Sequence, residues 1–184
     1  SSNKALWWIL KIWKDSGKKQ KKILVMIHIK SKEQINKMVK ASSVVRDLLN
    51  EIKNIIKPGV STLELDKFAE NYILESGAIP GFKGLYGFPA TICVSINDEV
   101  VHGIPSNRIL KEGDIIGIDV GSIYDGFYGD HAKTFPVGDI SDSNKKLIKV
   151  TKECLIKGIE EAKPGKRIGD IAFAIQSYAE SFGF

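Results

Sequence analysis

One helix–turn–helix pattern occurs twice in this 184-residue chain, and a β-rich stretch lies between the two copies. Lys57-Pro58-Gly59 recurs as Lys163-Pro164-Gly165, Leu65 as Ile171, Tyr72 as Tyr178 and Gly77 as Gly183. Upstream, Leu48 and Leu49 recur as Cys154 and Leu155. Proline cannot continue a helix and glycine takes positive φ without strain, so each Pro-Gly pair separates two helices. After the first pair comes β structure; after the second the sequence stops at Phe184. The pattern reads as one and a half copies of a duplicated unit, with the second half incomplete.

Periodicity gives the helices. Ile35, Met38, Val39, Val45, Leu48, Leu49, Ile52, Ile55 and Ile56 recur at three- and four-residue spacing, which predicts an amphipathic helix over 33–56, stopped by Pro58-Gly59. Ser61-Thr62-Leu63-Glu64 is a capping-box pattern and opens a second helix that runs to about Ser76-Gly77. A Gly- and aromatic-rich loop (79–90) follows, then β structure from Thr91 to Val137. A third helix is expected from Ser141–Ser143 to just before Pro164, and a fourth over 168–181.

Within the β-rich stretch, Asp125-Gly126 is a strong hairpin signal, because a type I′ turn needs φ > 0 at both central positions. That turn sets Gly121 opposite Asp130 and Asp119 opposite Ala132. Side chains alternate faces along a strand, so Asp119 and Asp130 share a face as diagonal neighbours, roughly 7–8 Å apart. Gly121 and Gly129 are expected to leave open space around the carboxylates. No Lys or Arg precedes Lys133 in the hairpin, and two uncompensated carboxylates repel unless a proton or a cation intervenes. A bound divalent metal answers that repulsion. His131, next to Asp130, alternates to the other face and is given no role.

Charge and composition narrow the function. With 43% hydrophobic and 27% charged residues the chain reads as soluble and globular. The net charge of +5 sits in one place: residues 1–26 hold seven lysines and one aspartate, so the other 158 residues are slightly acidic. That excludes a basic nucleic-acid footprint on the domain, and no DNA partner is expected. The leader (1–26) is basic and Trp-rich, lacks the order of a secretory signal and is read as lying outside a domain of residues 27–184. Membrane contact is not expected of it. Cys93 and Cys154 form no CxxC pair, no apolar run is long enough to span a membrane, and the expected address is cytoplasmic.

Three motifs in order carry a resemblance: His102-Gly103-Ile104-Pro105, then Gly113-Asp114-Ile115 leading into Ile118-Asp119-Val120, then Asp125-Gly126-Phe127-Tyr128-Gly129-Asp130. From about Ile27 to Phe184 the chain resembles the type I methionine aminopeptidases. The resemblance implies the pita-bread fold, an α/β (α+β) domain with pseudo-twofold halves around a site for two divalent metal ions (Co, Mn, Fe or Zn). It implies that Asp119 binds one metal and that Asp130 bridges both. It implies that His102 is catalytic without being a metal ligand, hydrogen-bonding the substrate near the scissile amide. Phe82, Leu85, Phe88 and Cys93 would line a slot for the methionine side chain. Leu85 stands where many relatives carry Tyr, and Val101 where many carry Cys; both leave the slot apolar.

The expected activity is removal of initiator methionine from nascent polypeptide N-termini, at the ribosome, by a monomer. The family's remaining ligands, one histidine and two glutamates, belong to its C-terminal half and have no counterpart in these 184 residues. Little or no peptidase activity is therefore expected of this polypeptide alone. Two alternatives share the fold: a prolidase-like peptidase, which the His-Gly-Ile-Pro segment disfavours, and a catalytically dead pita-bread module that binds peptides or proteins.

Overall fold

The structure, a computed structural model, describes residues 28–184. The leader (1–26) and the domain boundary at 27 lie outside the described residues.

Helix α1 spans Lys32–Ile52. Ser31 caps its first turn through a reciprocal box with Gln34, which satisfies N–H groups that a helix start leaves unpaired. It ends four residues earlier than periodicity alone suggests. Asn54 and Ile55 donate to carbonyls three residues back, tightening the chain into a turn before Pro58. Ile55 and Ile56 keep the apolar spacing because they still pack against the core. Helix α2 (Thr62–Glu75) starts at the expected capping box, with Ser61 and Glu64 satisfying each other's backbone N–H groups. Gly77 (φ 72°) then lets the chain turn into β1 (Ile79–Pro80).

Three longer strands follow: β2 (Ile92–Ile96), β3 (Ile115–Tyr124) and β4 (Phe127–Pro136). Strand β3 is central. Antiparallel β4 pairs along its whole length, so β2 and β1 share its opposite edge end to end, pairing at residues 116–120 and 122–123. Residues 97–114, inside the expected β stretch, instead form a long loop.

The sheet has two unlike faces. Ile92, Val94, Ile96, Ile116, Ile118, Val120 and Phe135 point to the core, where α1 and α2 supply Val45, Leu48, Leu49, Ile52, Leu65 and Ile73. Burying a side chain of this size contributes roughly 1.5–3 kcal/mol, so this layer dominates the fold's stability. A buried polar bond joins α1 to the sheet here: the Ser122 hydroxyl donates to the Ala41 carbonyl at 2.9 Å. The other face carries Cys93, Asp119 and Asp130 and has no helix pair across it among the described residues.

Helices α3 (Asp142–Glu161) and α4 (Ile168–Ser181) repeat the α1–α2 arrangement and pack on each other. Gly165 (φ 86°) matches Gly59 (φ 93°), and Gly183 (φ 84°) matches Gly77. The internal repeat is therefore structural. Leu155, Ile156, Ile159 and Phe173 remain exposed on this second pair. Among the described residues no helix is long and apolar enough to cross a membrane.

Candidate active site

The hairpin folds as its turn chemistry requires. Asp125 (φ 48°) and Gly126 (φ 79°) both take the left-handed region, and Lys37 of α1 holds the Asp125 carboxylate at 2.7 Å. The register places Asp119 opposite Ala132 and Gly121 opposite Asp130. On the far side of β3, Cys93 lies opposite Asp119. Directly paired residues point to the same face. So Cys93, Asp119 and Ala132 form one row across three strands, with Asp130 diagonal to Asp119.

The two carboxylates interact directly. Burial pushes the Asp119 carboxyl above the usual carboxylate range, and the neighbouring Asp130 charge and hydrogen bond push it further. His102 acts in the opposite direction, favouring the charged form. The buried Cys93 thiol is pushed up to about 12, by burial first and then by the charges of Asp119, Asp130 and Asp66. Each shift reports the same condition, a concentration of negative charge at a half-buried place. Among the described residues no lysine or arginine forms an ion pair with Asp119 or Asp130. An oxygen-rich, uncompensated pair of this kind fits a hard or borderline divalent cation. Among the described residues, though, no group of three or more His, Cys, Asp or Glu side chains is placed to hold a metal. The described residues bring only these two carboxylates together.

The glycines of the hairpin do not leave space, contrary to the sequence expectation. A Cβ on Gly121 would come within 2.6 Å of the Phe82 ring. A Cβ on Gly129 would come within 2.4 Å of the Ala41 backbone. Both are close-approach glycines: one lets Phe82 lie against β3, the other seats β4 on α1. Gly81 adds a bond from its N–H to the Gly121 carbonyl at 2.8 Å, fixing Phe82 beside the acid pair. Leu85 and Phe88 belong to the same loop, which is closed by bonds from Gly84 N–H to the Phe88 carbonyl (2.8 Å) and from Phe88 N–H to the Leu85 carbonyl (2.9 Å). Leu85 is half exposed at the tip and Phe88 is half-buried at the foot. Of the four residues expected to line a slot, Cys93 shares the acids' face by register and Phe82 lies against Gly121 on that face.

His102 arrives on the 97–108 loop with φ 60°, a left-handed backbone that costs a non-glycine residue roughly 1–2 kcal/mol. Gly103, the next residue, explains how it is held. A Cβ there would fall 1.8 Å from the Val94 carbonyl oxygen, so only glycine can dock the loop on β2. Its carbonyl accepts the Val94 N–H at 2.9 Å.

Two residues that sequence reasoning passed over support this arrangement. Asp66 on α2 is 7% exposed, and one of its oxygens accepts the N–H groups of Thr91 (2.8 Å) and Ile92 (3.0 Å), at the start of the strand that carries Cys93. Its signal is visible afterwards: Asp66, Ala69 and Ile73 are spaced as one helical stripe, with an acid where an apolar residue belongs. Glu99 accepts the Ile96 N–H at 2.9 Å and pairs with Arg108.

Comparison with known proteins gives the family and the fold. Residues 36–184 match the model of metallopeptidase family M24. The chain belongs to that family. Methionine aminopeptidase 1 of Bacillus subtilis is 52% identical over 159 residues, which are 86% of this chain and 64% of that protein. The methionine aminopeptidase of Clostridium acetobutylicum is likewise 52% identical, over 160 residues. The chain thus spans somewhat less than two thirds of the length of these curated relatives. The methionine aminopeptidase structure from Rickettsia prowazekii superposes with a TM-score of 0.83 at 44% identity, over 85% of this chain and 63% of that one. The Xaa-Pro dipeptidase of Bacillus anthracis shares the fold (TM-score 0.75) at only 24% identity, over 85% of this chain and 42% of that one. This M24 chain therefore has the pita-bread fold of its structural neighbours, and its paired aspartates are consistent with a divalent-metal enzyme.

Proposed function

We propose that this protein contributes the N-terminal part of a site that hydrolyses the first peptide bond after methionine, acting on nascent polypeptide N-termini in the cytoplasm. The observation that carries the reading is the acid pair itself. Asp119 and Asp130 face one another on one side of the sheet, uncompensated, beside the Cys93 thiol and His102.

In this reading the carboxylates of Asp119 and Asp130 hold divalent ions, with Mn, Fe, Co and Zn all compatible with the donor set. When bound, such a pair supplies a water nucleophile competent at neutral pH and a Lewis acid for the amide carbonyl. The protein's own groups do the rest. Phe82 and Cys93, with Leu85 and Phe88 on the adjoining loop, form an apolar seat for the methionine side chain. Such a seat discriminates by only roughly 1–3 kcal/mol per methylene, so orientation has to come from elsewhere. His102 supplies it by donating a hydrogen bond toward the reacting amide as charge develops there.

The 184-residue polypeptide holds only part of the ligand set. Two carboxylates alone leave an ion mostly hydrated, so little or no turnover is expected unless further ligands are supplied. The test uses Met-Ala-Ser with added Mn²⁺ or Co²⁺, with an Xaa-Pro dipeptide as the competing substrate. Methionine release that appears when a complementary C-terminal fragment is added, and disappears in Asp119→Asn, supports the proposal. Preferential cleavage of the Xaa-Pro substrate would transfer it to the prolidase type. Neither activity, with no cation bound, would favour a peptide-binding module.

A further inference from the structure

The outer edge of β2 is sealed by three different acceptors, and two of them are carboxylates. Its inner edge pairs with β3, so the N–H groups of Ile92, Val94 and Ile96 point the other way. Ile92 donates to Asp66 (3.0 Å), Val94 to the Gly103 carbonyl (2.9 Å) and Ile96 to Glu99 (2.9 Å). Gly103 sits in the middle of that row, directly after His102. The Glu99 carboxylate closes the row at its C-terminal end, and one of its oxygens lies 3.5 Å from where a Gly103 Cβ would be. The other oxygen takes the Arg108 guanidinium, from the far end of the same loop.

One carboxylate therefore ties the loop's departure from β2 to its return. That return is fixed to α2: Thr62 N–H donates to the Arg108 carbonyl at 3.0 Å, and the Thr62 hydroxyl bonds both the N–H and the carbonyl of Ser106. Between the anchors the backbone takes two left-handed turns at non-glycine residues, Asn97 (φ 57°) and His102 (φ 60°). Such conformations persist only where surrounding bonds over-determine them.

We propose that Glu99 is a positioning residue of the site: by bridging the end of β2 to Arg108 it holds the His102 loop on the strand edge and sets His102 against the aspartate pair. The inference rests on reading His102 as the substrate-facing group of a cation site.

The experiment compares the 184-residue protein with Glu99→Ala and Glu99→Gln by NMR. Glutamine keeps an acceptor for the Ile96 N–H, so it is the rescue variant. Without metal, hydrogen exchange at the Val94 amide should accelerate at least about tenfold in Glu99→Ala, as expected for loss of a charge-assisted bond. It should stay near wild type in Glu99→Gln, and the Ile118 amide in β3 should not change in either. With Mn²⁺ added, relaxation broadening of the His102 ring should weaken in Glu99→Ala while that of Gly121 persists. Unchanged Val94 exchange in Glu99→Ala overturns the proposal, and so does acceleration spread equally to Ile118, which would mark a general loss of stability. Absence of Mn²⁺ broadening at Gly121 in the wild type would instead sink the cation reading, and the metal-free exchange would still decide the role of Glu99.

Discussion

Replacing Asp66 by alanine is the sharpest stability test, because the buried carboxylate has two identifiable dependants. Its oxygen accepts the N–H groups of Thr91 and Ile92. Truncation strands both in a place where Thr91 and Ile92 are fully buried. A buried donor without a partner costs roughly 1–3 kcal/mol, so the pair costs about 2–6 kcal/mol. Part of that is offset, because burial pushes the Asp66 carboxyl above its ordinary range, and removing a disfavoured charge returns free energy. A net loss of about 2–4 kcal/mol follows. At roughly 2–4 °C per kcal/mol for a chain of this size, Tm should fall by about 5–15 °C. Asp66→Asn keeps an acceptor oxygen and should lose no more than about 1 kcal/mol. Urea denaturation with a fluorescence or circular-dichroism readout resolves the three proteins. An alanine variant within about 0.5 kcal/mol of wild type would show that the strand start finds other partners, and the argument from stranded donors would fail.

Two further perturbations follow from the same geometry. Gly129→Ala would set a Cβ 2.4 Å from the Ala41 backbone, so α1 or β4 must shift; a loss of about 1–3 kcal/mol, with weaker cation binding through displaced Asp130, is expected by denaturant melts and Mn²⁺ titration. Asp119→Asn should stabilise the metal-free protein near neutral pH. The folded carboxyl holds its proton above the ordinary value of 3.8, so metal-free stability falls as pH rises from that value through the raised one, and the penalty is fully present above it. Melts across that window should show the decline in wild type and flatten it in Asp119→Asn.

The sequence carried more of the hairpin than of its surroundings, and the reason is the range of the interactions. Asp125-Gly126 sets the turn, and strand alternation then places Asp119, Asp130 and His131 without further information. The capping box at Ser61 and the helix bounds at Ile168–Ser181 are equally local. What the sequence hid was contact at a distance. Gly121 and Gly129 read as gaps because their partners, Phe82 and Ala41, are 39 and 88 residues away. Asp66 went unnoticed because the donors that need it lie 25 and 26 residues downstream. The early end of α1 escaped periodicity because Ile55 and Ile56 bury their side chains from a turn as well as a helix would allow.

In the proposed function, the carboxylates at 119 and 130 together receive a divalent ion. Paramagnetic broadening of backbone amides during Mn²⁺ titration measures this without requiring turnover. Broadening should begin at Cys93, Gly121 and Ala132 and be lost in both Asp119→Asn and Asp130→Asn. Broadening scattered over the exposed acidic residues, unchanged by either substitution, would contradict it.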